Sequence, residues 1–367
     1  MNKNKEAVKI AKELVFRDSQ SPITSEERVS QFIFDYLRDL GLKPEKQEYD
    51  KDKNRFNVLL FGSEPPNLMI NGHLDTVPIN DVKNWTRNPF GEIAEGRLYG
   101  RGSCDTKGNI ACILAAMAEN FNDKIAYVFN VEEEITLNGI KKVLELRKTK
   151  LKTVEYSISL EPTDGKIIMG NKGLIVFEVL ARGKTAHASQ PDLGENAVYT
   201  ISKAIPKIEE YNQGLKQVIH PVFGCASASL GIIEGGTASN VIPDLARMEI
   251  DRRILPNENS NVVEQEFRQM VAPLEVITKK KIDPAETSID SKIIKEMQGV
   301  LTNLGMDSKT YGYTATSELS EISKYGIEGM VFGTAELGQA HKPDEYMTLE
   351  QLDRGTRILS ELLKKWD

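Results

Sequence analysis

The chain has few of the residues that form disulfide frameworks, thiolate metal sites or membrane spans. It contains 3 cysteines, 4 histidines and 2 tryptophans among 367 residues. Cys104, Cys112 and Cys225 are odd in number and lack CxxC spacing, so neither a disulfide framework nor a thiolate zinc site is indicated. No apolar run approaches the length of about 20 residues that a membrane helix requires. A membrane partner is therefore not expected.

Charge of either sign is also not in great excess. The chain has 47 basic and 54 acidic side chains, a net charge of −7, which favours solubility but indicates no partner. It lacks a basic stripe with interleaved aromatic residues, which argues against nucleic acid as a ligand. Residues 1–16 are predicted to form an amphipathic helix with Val8, Ala11, Leu14 and Val15 on one face, not a signal peptide. We expect a cytoplasmic protein.

Short apolar runs alternate with segments of helical period, a pattern that predicts an α/β fold. We expect a mainly parallel mixed sheet flanked by helices. Buried strands are predicted over 68–70, 125–131, 156–160 and 329–332, and helices over 109–121, 291–304 and 349–366. Thr24 to Glu27 have the spacing of a capping box, which predicts the start of a further helix that continues through Leu37.

Polar, metal-capable side chains follow all four predicted strands. The first strand leads into His73 and Asp75, the second into Glu132, Glu133 and Glu134. The third is followed by Glu161, and the fourth leads through a short loop to His341. In open α/β sheets, ligands bind beyond the carboxyl ends of the strands. These groups are therefore expected to meet at one edge.

Each of these residues has a plainer explanation when taken alone. His73 could be a buried histidine in a turn, and Asp105 could begin the helix that follows it or form an Asx turn. Glu161 could simply end a strand, and His341 could lie on an exposed loop. Their convergence on one sheet edge is what favours a metal site.

The charges of this cluster suit two divalent metal ions. As ligands, Asp105, Glu134 and Glu161 supply three negative charges, and one hydroxide supplies the fourth. His73 and His341 can then each bind one ion as neutral imidazoles, which leaves Glu133 to act as a base. Imidazole and carboxylate ligands without thiolate suit zinc, with cobalt or manganese as alternatives.

The middle of the chain contributes none of these ligands. It begins with an alternating segment, 174–179, which predicts a half-exposed antiparallel sheet. If His341 belongs to the cluster, the chain must leave the first domain and return to it. We therefore predict a catalytic metal-binding domain over 1–172 and 284–367, with a smaller α+β domain inserted over 173–283.

Eight segments, in order, resemble the M20 metallopeptidase family, which includes relatives of acetylornithine deacetylase, succinyl-diaminopimelate desuccinylase and glutamate carboxypeptidase. They are GHLDTVP (72–78), GRGSCDTKG (100–108), EEEITLNG (132–139), EPT (161–163), GKTAHASQP (183–191), GGTASNVIP (235–243), DRRILP (251–256) and AHKPDEY (340–346). The resemblance spans nearly the whole chain and is far more specific than any single motif.

The resemblance implies a role for each matching residue. The implied metal ligands are His73, Asp105, Glu134, Glu161 and His341, with Asp105 bridging two ions. It also implies that Asp75 orients His73, that Glu133 is the general base, and that the Asp105–Thr106 bond is cis. Glu132 stands where relatives usually have aspartate and is given no ligand role.

The inserted domain resembles the family's lid and dimerisation domain, which implies a homodimer through this domain. His187 matches a histidine that stabilises the oxyanion, often from the partner subunit. Asn240 and Arg253 match substrate-binding positions, although Arg253 could instead form a salt bridge with Asp251. Glu318 lies where many amino-acid deacylases carry aspartate, which leaves recognition of the substrate's side chain open.

The resemblance implies a metal-dependent hydrolase that cleaves an amide bond next to a free carboxylate. An N-acyl-amino-acid deacylase is favoured, with a small N-acyl amino acid as substrate. A dipeptidase or carboxypeptidase of the same family, acting on a dipeptide or peptide, is one alternative. A non-catalytic metal-binding scaffold is the other.

Overall fold

The structure, a computed structural model, describes residues 5–367. Its helices are α1 Lys5–Phe16, α2 Glu27–Asp39, α3 Lys107–Glu119, α4 Glu133–Thr136, α5 Asn138–Leu144, α6 Ala197–Ser202, α7 Ile205–Leu215, α8 Ser260–Val271, α9 Lys292–Asn303, α10 Leu319–Ile322 and α11 Leu349–Lys365. Its strands are β1 Glu45–Asp50, β2 Arg55–Leu60, β3 Leu68–His73, β4 Glu92–Ala94, β5 Arg97–Tyr99, β6 Ile125–Asn130, β7 Tyr156–Leu160, β8 Ile167–Asn171, β9 Gly173–Arg182, β10 Ala186–His187, β11 Ile219–His220, β12 Gly224–Cys225, β13 Ser227–Gly235, β14 Val241–Ile242, β15 Leu245–Ile254, β16 Glu275–Ile282, β17 Ala285–Glu286, β18 Thr310–Tyr313, β19 Glu328–Phe332 and β20 Tyr346–Thr348.

The chain divides into two compact units. The first unit comprises the described residues up to Gly170 together with Thr287–Tyr311 and Ser317–Asp367. The second comprises Asn171–Glu286 and Gly312–Thr316. The domain borders predicted after residues 172 and 283 stay predictions. No helix within residues 5–367 is both long and apolar enough to cross a bilayer.

The first unit is built on a mixed sheet whose centre is parallel. The strand order from one edge is β1-β2-β6-β3-β7-β19-β8. β3 pairs in parallel with both β6 and β7, and β7 pairs in parallel with β19. β1, β2 and β8 form the antiparallel pairs. These central strands are buried because helices cover the sheet, so the predicted fold class is confirmed.

Helix α3 packs against α1 and α11. Its residues from Lys107 to Met117 are all buried, so this helix lies inside the unit rather than along its surface. The helix predicted over residues 1–16 is present from Lys5 onward, and residues 1–4 lie outside the described residues. Ala7, Ile10, Ala11, Leu14 and Val15 form its buried face, whereas the predicted Val8 is only half-buried.

The predicted capping box at Thr24 is wrong. Helix α2 begins at Glu27, and the residue before it, Glu26, makes no capping hydrogen bond. Thr24 Oγ1 donates to the carbonyl of Gln20 at 3.4 Å, and the Glu26 carboxylate is bound by Arg55. The Thr24 hydroxyl thus bonds within the preceding turn, and Ser25 Oγ accepts the backbone N–H of Glu27 at 3.1 Å. A capping box is present instead at Thr348 and Gln351 of α11.

The second unit is an antiparallel sheet with helices against it. Its strand order is β13-β15-β9-β16, and all three strand pairs are antiparallel, as predicted from the alternation over 174–179. The buried face of this sheet packs against α6, α7 and α8. The rings of Phe177 on β9 and Phe267 on α8 stack with centroids 4.1 Å apart.

Candidate metal centre

The ends of the parallel strands lie side by side in the first unit. In the register of the sheet, His73 is opposite Asn130, and Leu160 is opposite Phe332. The polar residues that follow these strands therefore leave the sheet at one edge. This edge is the place where ligands bind in open α/β sheets.

The two carboxylate oxygens of Asp105 face two different histidines. Oδ1 lies 3.0 Å from Nε2 of His73, and Oδ2 lies 3.2 Å from Nε2 of His341. The same His341 nitrogen is 3.2 Å from Oε1 of Glu134, and the His73 nitrogen is 3.8 Å from Oε1 of Glu161. Asp105 thus lies between two groups of potential metal-ligand atoms, one around His73 and the other around His341.

These spacings fit a divalent metal ion in each group. Two ligand atoms that bind zinc at about 2.0–2.2 Å in a tetrahedral site lie about 3.3–3.6 Å apart. The donor separations of 3.0–3.8 Å around Asp105 bracket that value. His73, Asp105 and Glu134 also form a group whose donor atoms lie within 4.8 Å of one another. The residues present therefore fit a metal site.

His73 is held in the tautomer that a metal ligand needs. Its Nδ1 lies 3.0 Å from the backbone carbonyl oxygen of Asp75. A carbonyl oxygen can only accept, so Nδ1 carries the proton and Nε2 is left to bind a cation. The Asp75 carboxylate is farther away, at 3.6 Å, so the backbone of Asp75 makes the closer contact.

The carboxylate of Asp75 binds the start of α4. Oδ1 accepts the backbone N–H of Glu133 at 2.9 Å, and Oδ2 accepts that of Glu134 at 3.1 Å. Asp75 therefore connects the loop after β3 with helix α4, which carries the carboxylates of Glu133 and Glu134. Sequence reasoning predicted that Asp75 would act on His73 and missed this second contact.

Burial and neighbouring charges strongly shift the pKa values of the titratable groups at this edge. Burial raises the pKa of Glu133 and of Glu161 well above the usual range, although His73 opposes the shift. Burial opposes a charge on His73, but Asp105, Asp75 and Glu161 outweigh it and raise its pKa. Asp105 and Glu134 raise the pKa of His341 to about 10. Perturbation on this scale is typical of catalytic or metal-binding positions.

A buried ion pair holds the loop that carries Asp105. Glu345 Oε1 accepts the backbone N–H groups of Cys104 and Asp105 at 2.9 and 3.2 Å. Its Oε2 accepts from Arg101 at 2.5 Å, and Arg101 also donates to the carbonyls of Lys342 and Pro78. Glu345 is fully buried. Sequence reasoning missed both residues, although each lies within a quoted motif.

The segment around Asp105 contains the expected cis bond and a buried cysteine. The Asp105–Thr106 peptide bond is cis, as predicted. Cys104 is buried, and burial raises the pKa of its thiol well above the usual range. Its Sγ donates to the carbonyl of Glu336 at 3.1 Å, which fits a packing role rather than a nucleophile.

Glu318 lies beneath the sheet edge rather than at its surface. It is 1% exposed, and its carboxylate accepts hydrogen bonds from the side-chain amides of Asn71 and Asn130. Burial raises its pKa to about 7, although His73 and the two amides oppose the shift. Glu318 therefore contacts neighbouring strands and is not in a position to read a substrate's side chain.

The remaining predicted residues lie in the second unit. His187 on β10 is exposed and is opposite Val241 on β14, next to Asn240, whose carbonyl accepts the N–H of Ala188. His187 Nδ1 accepts the backbone N–H of Ser189 at 3.2 Å, so in the neutral ring Nε2 carries the proton.

Arg253 makes the salt bridge that the sequence left as an alternative. Its Nε and Nη2 donate to the two oxygens of Asp251 at 2.8 and 3.0 Å. This is the two-pronged geometry with which arginine binds a carboxylate. Binding of a substrate carboxylate by Arg253 stays a prediction.

Comparison with known proteins agrees with this architecture. The sequence model of Peptidase family M20/M25/M40 matches residues 69–365. An acetylornithine deacetylase from Myxococcus xanthus is 29% identical over 350 residues, covering 88% of each chain. The fold is similar to that of an M20 family metallo-carboxypeptidase, Sso-CP2, from Sulfolobus solfataricus, with a TM-score of 0.81, 19% identity and 98% of both chains covered. It is also similar to the YXEP protein of Bacillus subtilis, described as a dinuclear metal binding peptidase, with a TM-score of 0.70, 18% identity, and 98% and 97% of the chains covered.

Proposed function

Because the chain belongs to Peptidase family M20/M25/M40, we propose that it hydrolyses an amide bond next to a free carboxylate, with an N-acyl amino acid as substrate. The observation that carries this proposal is the placement of the two Asp105 oxygens opposite two histidines. The sequence similarity to an acetylornithine deacetylase over most of both chains supports the choice of an acylated amino acid.

The proposed ligands are His73, Asp105 and Glu161 for one ion and His341, Asp105 and Glu134 for the other. Zinc is the proposed metal, since imidazole and carboxylate ligands suit it, with cobalt or manganese as alternatives. When bound, two such ions acidify a water molecule and polarise a carbonyl group.

Glu133 is the proposed general base. Its backbone is fixed by Asp75, and burial raises its pKa well above the usual range, which makes its carboxylate a stronger base. In the proposed reaction it takes a proton from the attacking water and returns it to the departing amine. A scaffold protein would not need this residue, so its presence beside a full set of ligands favours catalysis.

Three residues of the second unit are proposed to contact the substrate. The N–H at Nε2 of His187 suits donation to the oxyanion that forms during attack. Asn240 is proposed to bind the substrate, and Arg253 its carboxylate, which must then replace Asp251. We also propose a homodimer through the second unit, in which His187 serves the site of the partner subunit.

The test is a substrate panel assayed with defined metal. Protein stripped by a chelator is reloaded with zinc, cobalt or manganese and given N-acetyl-amino acids, N-succinyl-amino acids and dipeptides. The methyl ester of the best substrate is the matched control for the free carboxylate. Metal-dependent cleavage of N-acyl amino acids, with much weaker cleavage of the ester, is expected. A preference for dipeptides would make the protein a peptidase, and equal cleavage of the ester would contradict the carboxylate requirement.

A further inference from the structure

The first carboxylate of the EEE run, Glu132, is bound by a largely buried cation. Its Oε2 lies 2.6 Å from Nη2 of Arg55. The same guanidinium donates through Nε and Nη2 to the two oxygens of Glu26, at 2.6 and 2.7 Å. Glu26 is fully buried, and Arg55 and Glu132 expose 13% and 15% of their side chains. The planar fork of arginine can bind one carboxylate with two donors while it contacts a second, a geometry that the compact ammonium of lysine does not reproduce.

Glu132 also has an unusual backbone conformation immediately before the proposed base. Its φ is +60°, in the left-handed region that L-residues with long side chains rarely adopt. Such a conformation persists only where surrounding contacts fix it. For Glu132 these contacts include the Arg55 ion pair and a hydrogen bond from Thr136 Oγ1 to Oε1 at 3.1 Å.

The turn that carries Glu133 is thus held from two sides. On one side the Asp75 carboxylate accepts the backbone N–H of Glu133 and of Glu134. On the other side Arg55 holds the side chain of Glu132, and Glu26 fixes Arg55. The ring of Tyr49 lies 4.9 Å from the Arg55 guanidinium carbon and adds a cation–π contact. A rotation at residue 132 would change the direction in which Glu133 leaves the backbone.

We propose that Arg55 is a positioning residue for the general base, acting through Glu132. The Glu26–Arg55–Glu132 relay selects the left-handed backbone at residue 132 and so sets where the Glu133 carboxylate lies. The inference rests on the proposed role of Glu133. Each of the three consecutive carboxylates would then have a different role: Glu132 pairs with arginine, Glu133 is the general base and Glu134 is a metal ligand.

The sharpest variant is Glu132→Asn. Asparagine tolerates the left-handed conformation, so the change adds no backbone strain, but without the pairing to Arg55 nothing selects that conformation over the alternatives. Glu26 keeps its partner, so the buried carboxylate is not left alone. We expect kcat to fall at least about tenfold with KM changed less than about threefold, because small displacements of reacting groups are costly. Metal content and the thermal midpoint should stay close to wild type.

Arg55→Lys tests the same relay from its other end. Lysine keeps the charge beside Glu26 but does not reproduce the fork geometry that holds Glu132, so a similar fall in kcat is expected. In the double variant the two losses should not multiply, since both changes break one contact. Glu361→Gln, which removes an exposed ion pair with Lys364 on α11, is the control and should leave kcat unchanged.

The outcomes separate this inference from the function on which it rests. If Glu133→Gln is inactive while Glu132→Asn turns over like wild type, the relay does not position the base and the inference is wrong. Losses that multiply in the double variant would also overturn it. If Glu133→Gln itself is fully active, Glu133 is not the base, and the positioning role proposed for Arg55 is wrong as well.

Discussion

Glu345 binds the backbone of Asp105 across 240 positions of sequence, with 3.2 Å between its Oε1 and the Asp105 nitrogen. The other oxygen of Glu345 is held by Arg101 at 2.5 Å. This ion pair fixes the loop from which Asp105 reaches both histidines. Groups that orient a metal ligand in this way commonly change metal affinity by about 10–100-fold when they are lost.

Glu345→Gln should therefore weaken metal binding by about 10–100-fold, because the amide leaves Arg101 without its buried counter-charge. The measurement is competition with a chromogenic chelator, accompanied by circular dichroism to show that the chain is folded. Glu350→Gln, an exposed change nearby on α11, serves as the matched control. Unchanged affinity in folded Glu345→Gln protein would show that the loop is fixed by other contacts.

Replacing the proposed base and replacing a proposed ligand should have different effects. Glu133→Gln should lower kcat by about 10²–10⁴-fold and leave metal content intact, because it removes a base and no ligand. Glu161→Gln should lower metal content first, and activity as a consequence. Metal analysis and kinetics on the same preparations check both results. Loss of metal from Glu133→Gln would instead make Glu133 a ligand.

Glu318 should make stability depend on pH in the metal-free protein. Its pKa is raised from 4.5 to about 7, so the folded state holds a proton that the unfolded state releases at lower pH. Below about pH 4.5 both states are protonated and no penalty exists. The penalty grows between pH 4.5 and 7 and reaches about 3 kcal/mol above pH 7.

Glu318→Gln should accordingly stabilise the protein relative to wild type at pH 8 by more than it does at pH 5. The free energy of unfolding, measured with urea at both pH values in the presence of a chelator, tests this difference. Glu361→Gln is again the control, since it alters an exposed carboxylate. An equal difference between Glu318→Gln and wild type at the two pH values would mean that Glu318 is ionised throughout.

His187 should act on the partner's site if the proposed dimer forms. His187→Ala chains keep their metal ligands, and Glu133→Gln chains keep the histidine, so each homodimer should be inactive. A hybrid dimer formed by mixing them should recover one working site, up to about half of the activity of a wild-type dimer. Activity after demonstrated subunit exchange is the measurement, and no recovery would mean that His187 acts within its own chain or not at all.

The strands of the sheet could be predicted because each one is a short apolar run that is recognisable from neighbouring residues alone. The run Tyr156–Leu160 was predicted as a strand with the bounds that β7 has, and the polar residues after β3, β6 and β7 indicated the shared edge. The capping box failed because the Thr24 hydroxyl donates to the carbonyl of Gln20 and does not bind the first turn of α2. A threonine hydroxyl can bind either turn, and the spacing alone does not decide between them.

The hydrogen bonds that hold the site residues in place could not be predicted from the sequence either. Glu345 lies in the same motif as His341, but its partner, the Asp105 backbone, comes from a distant loop. Glu318 was recognised as a departure from relatives, yet its burial against Asn71 and Asn130 depends on how α10 packs beneath the sheet. Spacing can suggest which residues bind a metal, whereas their supporting contacts depend on tertiary packing.

The proposed metal centre places the Asp105 carboxylate between two divalent ions. Anomalous diffraction at the zinc edge, from crystals of protein with zinc-dependent activity, tests it directly. Two peaks about 3.5–4 Å apart are predicted, one between Oδ1 and His73 and the other between Oδ2 and His341. Zinc peaks in such crystals with none within coordination distance of either Asp105 oxygen would contradict the account.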